Sequence, residues 1–300
     1  MNALQTLASA ALLLLASPAL GAGPEKFPSP RAAADALVAA AGRDDVKALV
    51  ALFGPDGKAL VVSGDDVQDR NDRAHFAKAA AERLEVVADP KDPHRATLAV
   101  GPDGWPFPVP LVEKDGKWSF SAKSGLEEVV DRRVGANELD AIEICHGYVD
   151  AQREYATVDH DGNGVLEYAR KIISTAGKRD GLVWKGADGA IEGPISDGIV
   201  RAIAEGYSDK TQPFHGYRFR VLTRQGKHAP LGVLDYVVKG HMIGGFALVA
   251  WPAAYRSSGV KTFIVSHDGI VHEKDLGPDT ARIASEMTRY DPGPGWTKVP

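Results

Sequence analysis

Residues 137–156 read NELDAIEICHGYVDAQREYA, and the spacing of their apolar side chains governs the architecture. Leu139, Ile142, Cys145, Val149, Gln152 and Ala156 recur at steps of three or four, the period that aligns one face of an α-helix. Such a stripe needs a cover. The segments YRFRVLT, LDYVVKG, GFALVAW, KTFIVS and IVHEKDL that follow are five short strand candidates, rich in β-branched and aromatic residues and separated by glycines and turns. Each partner has one face to bury, so the stretch is expected to be a spine helix on a mostly antiparallel sheet containing Phe219, Val221, Phe246, Leu248, Phe263 and Val265. Helical periodicity begins upstream at GLEEVVDRRVGANELD, where Gly135 is expected to divide it into two helices and Asn137 to cap the second. SDGIVRAIAEGY (196–207) predicts a helix ahead of the strands.

The first half has its own alternation of periods. In FPSPRAAADALVAAAGRDDVKALVALFGPDGKALVV (27–62), Ser29 and Pro30 predict a helix start and Gly42 its end. Asp44 or Asp45 starts a second helix through Val46, Leu49, Val50 and Phe53, which Gly54-Pro55 stops. DRAHFAKAAAERLEV (72–86) predicts a third. The period then changes: ATLAV, FPVPLVE and KWSFSA are strand-like, with Asp115-Gly116 as the turn between the last two. The expectation is an α+β chain, divided into a segment 1–22, an N-terminal α+β domain 23–134 and a C-terminal spine-helix and antiparallel-sheet domain 135–300.

MNALQTLASAALLLLASPALGAG (1–23) carries an apolar run too short to span a bilayer, followed by small residues that suit signal peptidase. It predicts a signal peptide cleaved near residue 21–22 and a periplasmic or secreted protein, with no transmembrane span in the mature chain. The formal net charge of −5 argues against a nucleic-acid partner. The single cysteine, Cys145, excludes an internal disulfide.

NELDAIEICHGYVDAQREYA, GKRDGLVW, HGYRFRVLTRQG and GFALVAWPAAYRSSGVKTFIVSHDGIVHEKDLG resemble the successive motifs of a bacterial envelope family, domain of unknown function 2950, over nearly the whole mature chain. That resemblance implies export and a shared fold, and no particular reaction. After about Asn137 the chain also resembles the soluble half of type IV pilins and pseudopilins, without their apolar polymerisation stem. The first half is similar to the cone-shaped domains related to nuclear transport factor 2, and such cones contain a pocket.

TVDHDGNGVLEYA (157–169) spaces Asp159, Asp161 and Asn163 as the first oxygen ligands of an EF-hand and follows them with Gly164 at the sixth position. The closing bidentate carboxylate is missing, because position twelve is Arg170. Glu167 at position nine completes a reduced candidate calcium loop, against the alternative of a plain polar turn. Asp180, Trp184, His215 and Tyr217 form a polar and aromatic set expected to converge on one binding surface. Asp65, Asp66, Asp69, Asp72 and His75 hold the acid-base candidates, or else a solvated loop and helix cap. Cys145 and His146 are adjacent, but helix neighbours point about 100° apart and do not face each other. Hydrolase, zinc and nucleotide motifs are absent. Two functions are expected as alternatives: an exported non-catalytic protein of binding or envelope assembly and interaction, with an envelope protein or small ligand as partner, and a periplasmic small-substrate enzyme with an acid-base pocket in the N-terminal domain.

Overall fold

The structure is a computed structural model that describes residues 23–205, 207 and 212–300; the segment 1–22, expected to be a signal peptide, lies outside the described residues. Helix α1 (Pro30–Gly42) begins where the Ser29 hydroxyl accepts the Ala32 N–H, and α2 (Val46–Phe53) begins where the Asp45 carboxylate accepts that of Ala48. Gly54 ends α2 at φ +75, and the short α3 (Lys58–Val61) follows. Helix α4 (Asp66–Glu82) starts six residues before the expected Asp72, because Asp65 caps it by accepting the N–H groups of Val67 and Gln68. It also ends earlier, since Leu84–Ala88 pairs as strand β1.

Strands β1, β2 (Arg95–Val100), β3 (Trp105–Pro106), β4 (Leu111–Lys114) and β5 (Lys117–Phe120) make an antiparallel sheet of order β1-β2-β4-β5, with β3 on β2. Asp115 (φ 56) and Gly116 (φ 72) link Lys114 to Lys117 as a two-residue turn with both centres left-handed, which matches the twist of the flanking strands. Leu37, Leu49, Leu52 and Phe53 pack with Leu98, Leu111 and Phe120 in one hydrophobic core.

Helix α5 (Ala122–Tyr155) runs 34 residues, about 50 Å at 1.5 Å per residue, and joins the two halves. Gly135 does not divide it; a glycine costs only about 1 kcal/mol within a helix, and the packed turns on both sides outweigh that. The division expected at 134/135 therefore falls inside a helix. Asn137 is no cap but a fully buried mid-helix residue, whose amide N–H donates to Ser258 O at 2.9 Å while its oxygen accepts from Gln68. The buried stripe runs Asn137, Ala141, Cys145, Tyr148, Gln152, Tyr155. Leu139 lies two residues from both Asn137 and Ala141, on the opposite side of the helix, and is 69% exposed.

Beyond α5, β6 (Lys171–Ile173) pairs parallel with β7 (Gly181–Lys185), and β8 (Ile191–Glu192) pairs antiparallel with β7. Helix α6 (Ser196–Glu205) precedes β9 (Tyr217–Leu222). The expected strand LDYVVKG is two pieces: β11 (Leu234–Asp235) pairs with β10 (Arg224–Gln225), and β12 (Val237–Val238) pairs with β13 (His241–Met242). Tyr236 sits fully buried between them, its hydroxyl donating to Gln225 at 2.9 Å. Strands β14 (Ala247–Pro252), β15 (Lys261–Ser266), β16 (His272–Asp275) and, after α7 (Thr280–Glu286), β17 (Thr297–Lys298) complete an antiparallel sheet of order β17-β16-β15-β14-β9.

Cross-strand register places Phe219, Val221, Leu248, Ala250, Phe263 and Val265 on one face of this sheet, the face on which α5 lies. Arg220 on the other face donates to carbonyls of Ala284 and Met287 around α7, so β14 is buried along its whole length. Phe246 precedes β14 and meets the Tyr148 ring edge-on at 5.7 Å. The class is α+β, and among the described residues no helix is long and apolar enough to cross a membrane.

Candidate functional site

In α4, Gln68, Asp72 and Phe76 stand four residues apart, as do Asp69 and Arg73 beside them, and the five share a face. That face, the middle of α5 and the 105–109 segment enclose a pocket of about 410 Å³. Its wall is aromatic: Phe107 meets Phe76 at 5.4 Å, Trp105 at 6.3 Å and Phe53 at 6.5 Å between ring centroids. Leu37, Leu49 and Val129 complete the apolar lining.

The polar part of the lining is Gln68, Asp69, Asp72, Asn137, Arg73, Arg132 and Arg133, and burial shifts the pKa of Asp69, Asp72 and Arg133. Asp69 is buried and accepts the Ser63 N–H at 2.9 Å; burial pushes its pKa up, against the pull of Ser63, Arg133 and Arg73. Asp72 reaches solvent at the mouth, yet the surrounding protein desolvates it and the Asp69 charge adds to the rise in its pKa. Burial lowers the pKa of Arg133, whose guanidinium donates to the carbonyls of Ala59 (3.0 Å) and Leu60 (3.4 Å). The Gln68 amide N–H donates to Asn137 at 2.9 Å, while its buried Oε1 has no hydrogen-bond partner among the described residues.

Of the acidic run, this pocket gathers Asp69 and Asp72. Asp66 is exposed in the first turn of α4 and His75 is exposed outside the lining. Asp65 is a buried cap whose second oxygen accepts from the Tyr207 hydroxyl and the Gly216 N–H, both at 3.0 Å.

The calcium-like loop lies in the second half. Asp159 Oδ1 accepts the N–H groups of Asp161, Gly162 and Asn163, and Oδ2 that of Gly164, whose bond is the largest cause of its lowered pKa. Asp161 accepts from the Asn163 N–H, and Asn163 accepts from Val165 and donates to Glu167 at 3.4 Å. Glu167 bonds His241 Nδ1 at 3.0 Å and accepts the Met242 N–H at 3.1 Å; burial works to raise its pKa, and these bonds hold it below the ordinary value. Arg170 turns away to donate to Gly240 O at 3.2 Å. Among the described residues no three His, Cys, Asp or Glu side chains group so as to hold a metal ion.

The loop forms one wall of a polar cleft of about 660 Å³, shared with Tyr155, His160, Lys178, Arg179 and Asp180. Burial works against ionisation of Asp180, but the Lys171 ammonium at 2.8 Å and two donations from Thr175 bring its pKa to about 2. Trp184 flanks the cleft through His160, 5.3 Å between centroids, and its indole N–H donates to Glu192 at 2.8 Å.

The other two members of the expected surface are elsewhere. His215, at φ 48, bonds Asp140 through Nδ1 (2.8 Å) and Glu205 through Nε2 (3.1 Å) and stacks on Phe214. Tyr217 is fully buried beside Glu138 and Cys145, its hydroxyl donating to Lys261 O at 2.8 Å. The four do not converge, because Tyr217 begins the β9 face that α5 covers. Cys145 is buried completely, which pushes its thiol pKa up to about 12 and leaves it inert.

Gln68, Trp105, Phe107 and Arg133 escaped sequence reasoning. Gln68 stands in helical register with Asp72 and was legible once Asp65 is taken as the cap; Arg133 comes from a helix more than sixty positions away and leaves no local signal.

A family model described as "Protein of unknown function (DUF2950)" matches residues 24–299. No curated protein matches the chain, and no solved structure does.

Proposed function

We propose that this chain, which belongs to the DUF2950 family across residues 24–299, is an exported protein that binds a small molecule in the pocket between α4 and α5 and catalyses no reaction. One observation carries the reading. An aromatic-walled pocket of about 410 Å³ holds inward polar groups, one of them Gln68 Oε1, which has no hydrogen-bond partner among the described residues. That size and composition are those of small-molecule sites, which run from roughly 300 to 1,000 Å³. Export is inferred from the apolar run and small residues of 1–22. An envelope partner is inferred from the likeness of the second half to pilin soluble domains.

The test is ligand-observed NMR screening of a fragment library against the mature protein and an Ala136→Trp variant, which places an indole in the pocket from the exposed side of α5. Fragments should bind the parent and be lost from the variant. No binders, or equal binding to both, would overturn the reading. Intact-mass measurement on a periplasmic extract tests export, which retained Met1 with membrane pelleting would refute.

A second reading, an acid-base enzyme in the same pocket, is favoured by Asp69 and Asp72, whose carboxyls burial raises toward the range useful for proton transfer. Turnover of a bound compound, abolished in Asp69→Asn, would replace the non-catalytic reading with this one.

A further inference from the structure

We infer that the pocket between α4 and α5 selects a small organic cation: an ammonium or similar donor-bearing group on an apolar body. The inference rests on the pocket being a ligand site, and adds which charge it takes.

The positive groups around the pocket are already engaged. Arg73 pairs with Asp44 at 2.6 Å and donates to Val61 O. Arg132 pairs with Glu128 and lies over the Trp105 ring. Arg133 donates to the carbonyls of Ala59 and Leu60. The negative and accepting groups are less fully engaged. Asp72 receives no hydrogen bond among the described residues, Asp69 is bonded only through Ser63, and Gln68 Oε1 is buried with no donor. Setting aside the salt-bridged arginines, the lining holds two carboxylates, Asp69 and Asp72, and one guanidinium, Arg133: two negative against one positive, a net of one negative charge.

Gln68 Oε1 and the Asp72 carboxylate are thus open acceptors, so a ligand gains by donating to them. An anion would enter beside two carboxylates and meet a guanidinium that already donates to the carbonyls of Ala59 and Leu60. The aromatic wall acts in the same direction, because ring faces attract cations, more strongly where water is excluded. Burial raises the pKa of both carboxyls more than the pull of Arg133 and Arg73 lowers it, so each charge still lacks full compensation. A bound ammonium would supply it, and would bind more tightly as pH rises and Asp69 and Asp72 ionise, with Arg73, Arg133 and His75 as the other charged or titratable groups facing Asp72.

Three probes of one shape test this: 3-phenylpropylamine, 3-phenylpropionamide and 3-phenylpropanoate, titrated into the mature protein at pH 7 by calorimetry or ligand-observed NMR. The amine should bind about tenfold tighter than the amide, with the carboxylate weakest, and affinity for the amine should fall as pH is lowered through the titration of the two carboxyls and at high salt. Asp72→Asn, at a position that accepts no hydrogen bond and whose loss should leave the fold intact, should bring amine and amide within about threefold. Equal affinity for the three probes, a preference for the carboxylate, or an amine affinity untouched by Asp72→Asn would overturn the inference. If all three probes fail while library fragments still bind the parent and not Ala136→Trp, the cation preference is wrong and the ligand site stands. If the library also fails, the ligand site itself is wrong.

Discussion

Replacing Asp65 by alanine removes one carboxylate that holds four groups, so the loss should far exceed that of an ordinary helix cap. Oδ1 accepts the N–H groups of Val67 (3.2 Å) and Gln68 (3.1 Å), and Oδ2 accepts the Tyr207 hydroxyl and the Gly216 N–H, each at 3.0 Å. The side chain is 1% exposed, and the last two partners lie 142 and 151 positions along the chain. Loss of the cap costs about 1 kcal/mol. A buried hydroxyl and a buried amide left without an acceptor cost about 1–3 kcal/mol each. Release of a desolvated carboxylate returns part of this, so a net loss of about 3 kcal/mol is expected, a fall in Tm on the order of 10 °C for a chain of this size. Urea unfolding and calorimetry of Asp65→Ala measure it, with the exposed Asp66→Ala as control, expected within about 1 kcal/mol of the parent. In a Tyr207→Phe background Asp65→Ala should cost at least about 0.5 kcal/mol less, because the hydroxyl that would be orphaned is gone. A loss under about 1 kcal/mol, or the same loss in both backgrounds, would refute the claim that this carboxylate ties α4 to the second half.

Cys145 should resist a thiol reagent in the native protein up to pH 9 and react fully in denaturant, since burial raises its pKa to about 12; rapid native labelling would displace α5 from its sheet. Asp72 has its pKa raised above 3.8 in the fold, so it contributes stability that is present below that value and lost as pH rises through the folded pKa; the Tm of Asp72→Asn should gain on the parent between pH 3.5 and pH 7, and a flat or opposite trend would refute the desolvation. Calcium should bind the 159–167 loop no more tightly than roughly millimolar, as Arg170 stands where a bidentate carboxylate closes a full cage; a micromolar calorimetric site lost in Asp159→Ala, Asp161→Ala would overturn that. Gly259→Ala would bring a Cβ to 2.3 Å from the fixed hydroxyl of buried Tyr217, so about 1–3 kcal/mol should be lost in denaturant unfolding; a neutral result would refute the close packing there.

The sequence by itself determined the elements whose signals are local. Ser29 and Asp45 mark helix starts by accepting nearby N–H groups with their side chains, Gly54 ends a helix with its left-handed φ, Asp115-Gly116 makes its hairpin through two left-handed residues, and the β-branched and aromatic runs of β9, β14 and β15 mark strands. The 137–156 stripe identified the spine helix for the same reason, apart from Leu139, because helical period depends only on neighbouring residues. Tertiary structure settled what depends on distant partners. Gly135 was carried through an unbroken α5 and Asn137 was turned from a cap into a buried bridge, because Gln68 and Ser258 supply hydrogen bonds no local reading contains. The expected binding set was parted for a like reason: Tyr217 belongs to the face beneath α5, His215 to the carboxylates of Asp140 and Glu205, and Asp180 to a cleft of its own. The pocket arose only when α4 and α5 came together, bringing Asp69 and Asp72 close enough to Arg133 for burial and charge to shift all three. Periodicity and capping are short-range and stay readable along the chain, whereas desolvation and charge pairing exist only once remote segments exclude water from one another.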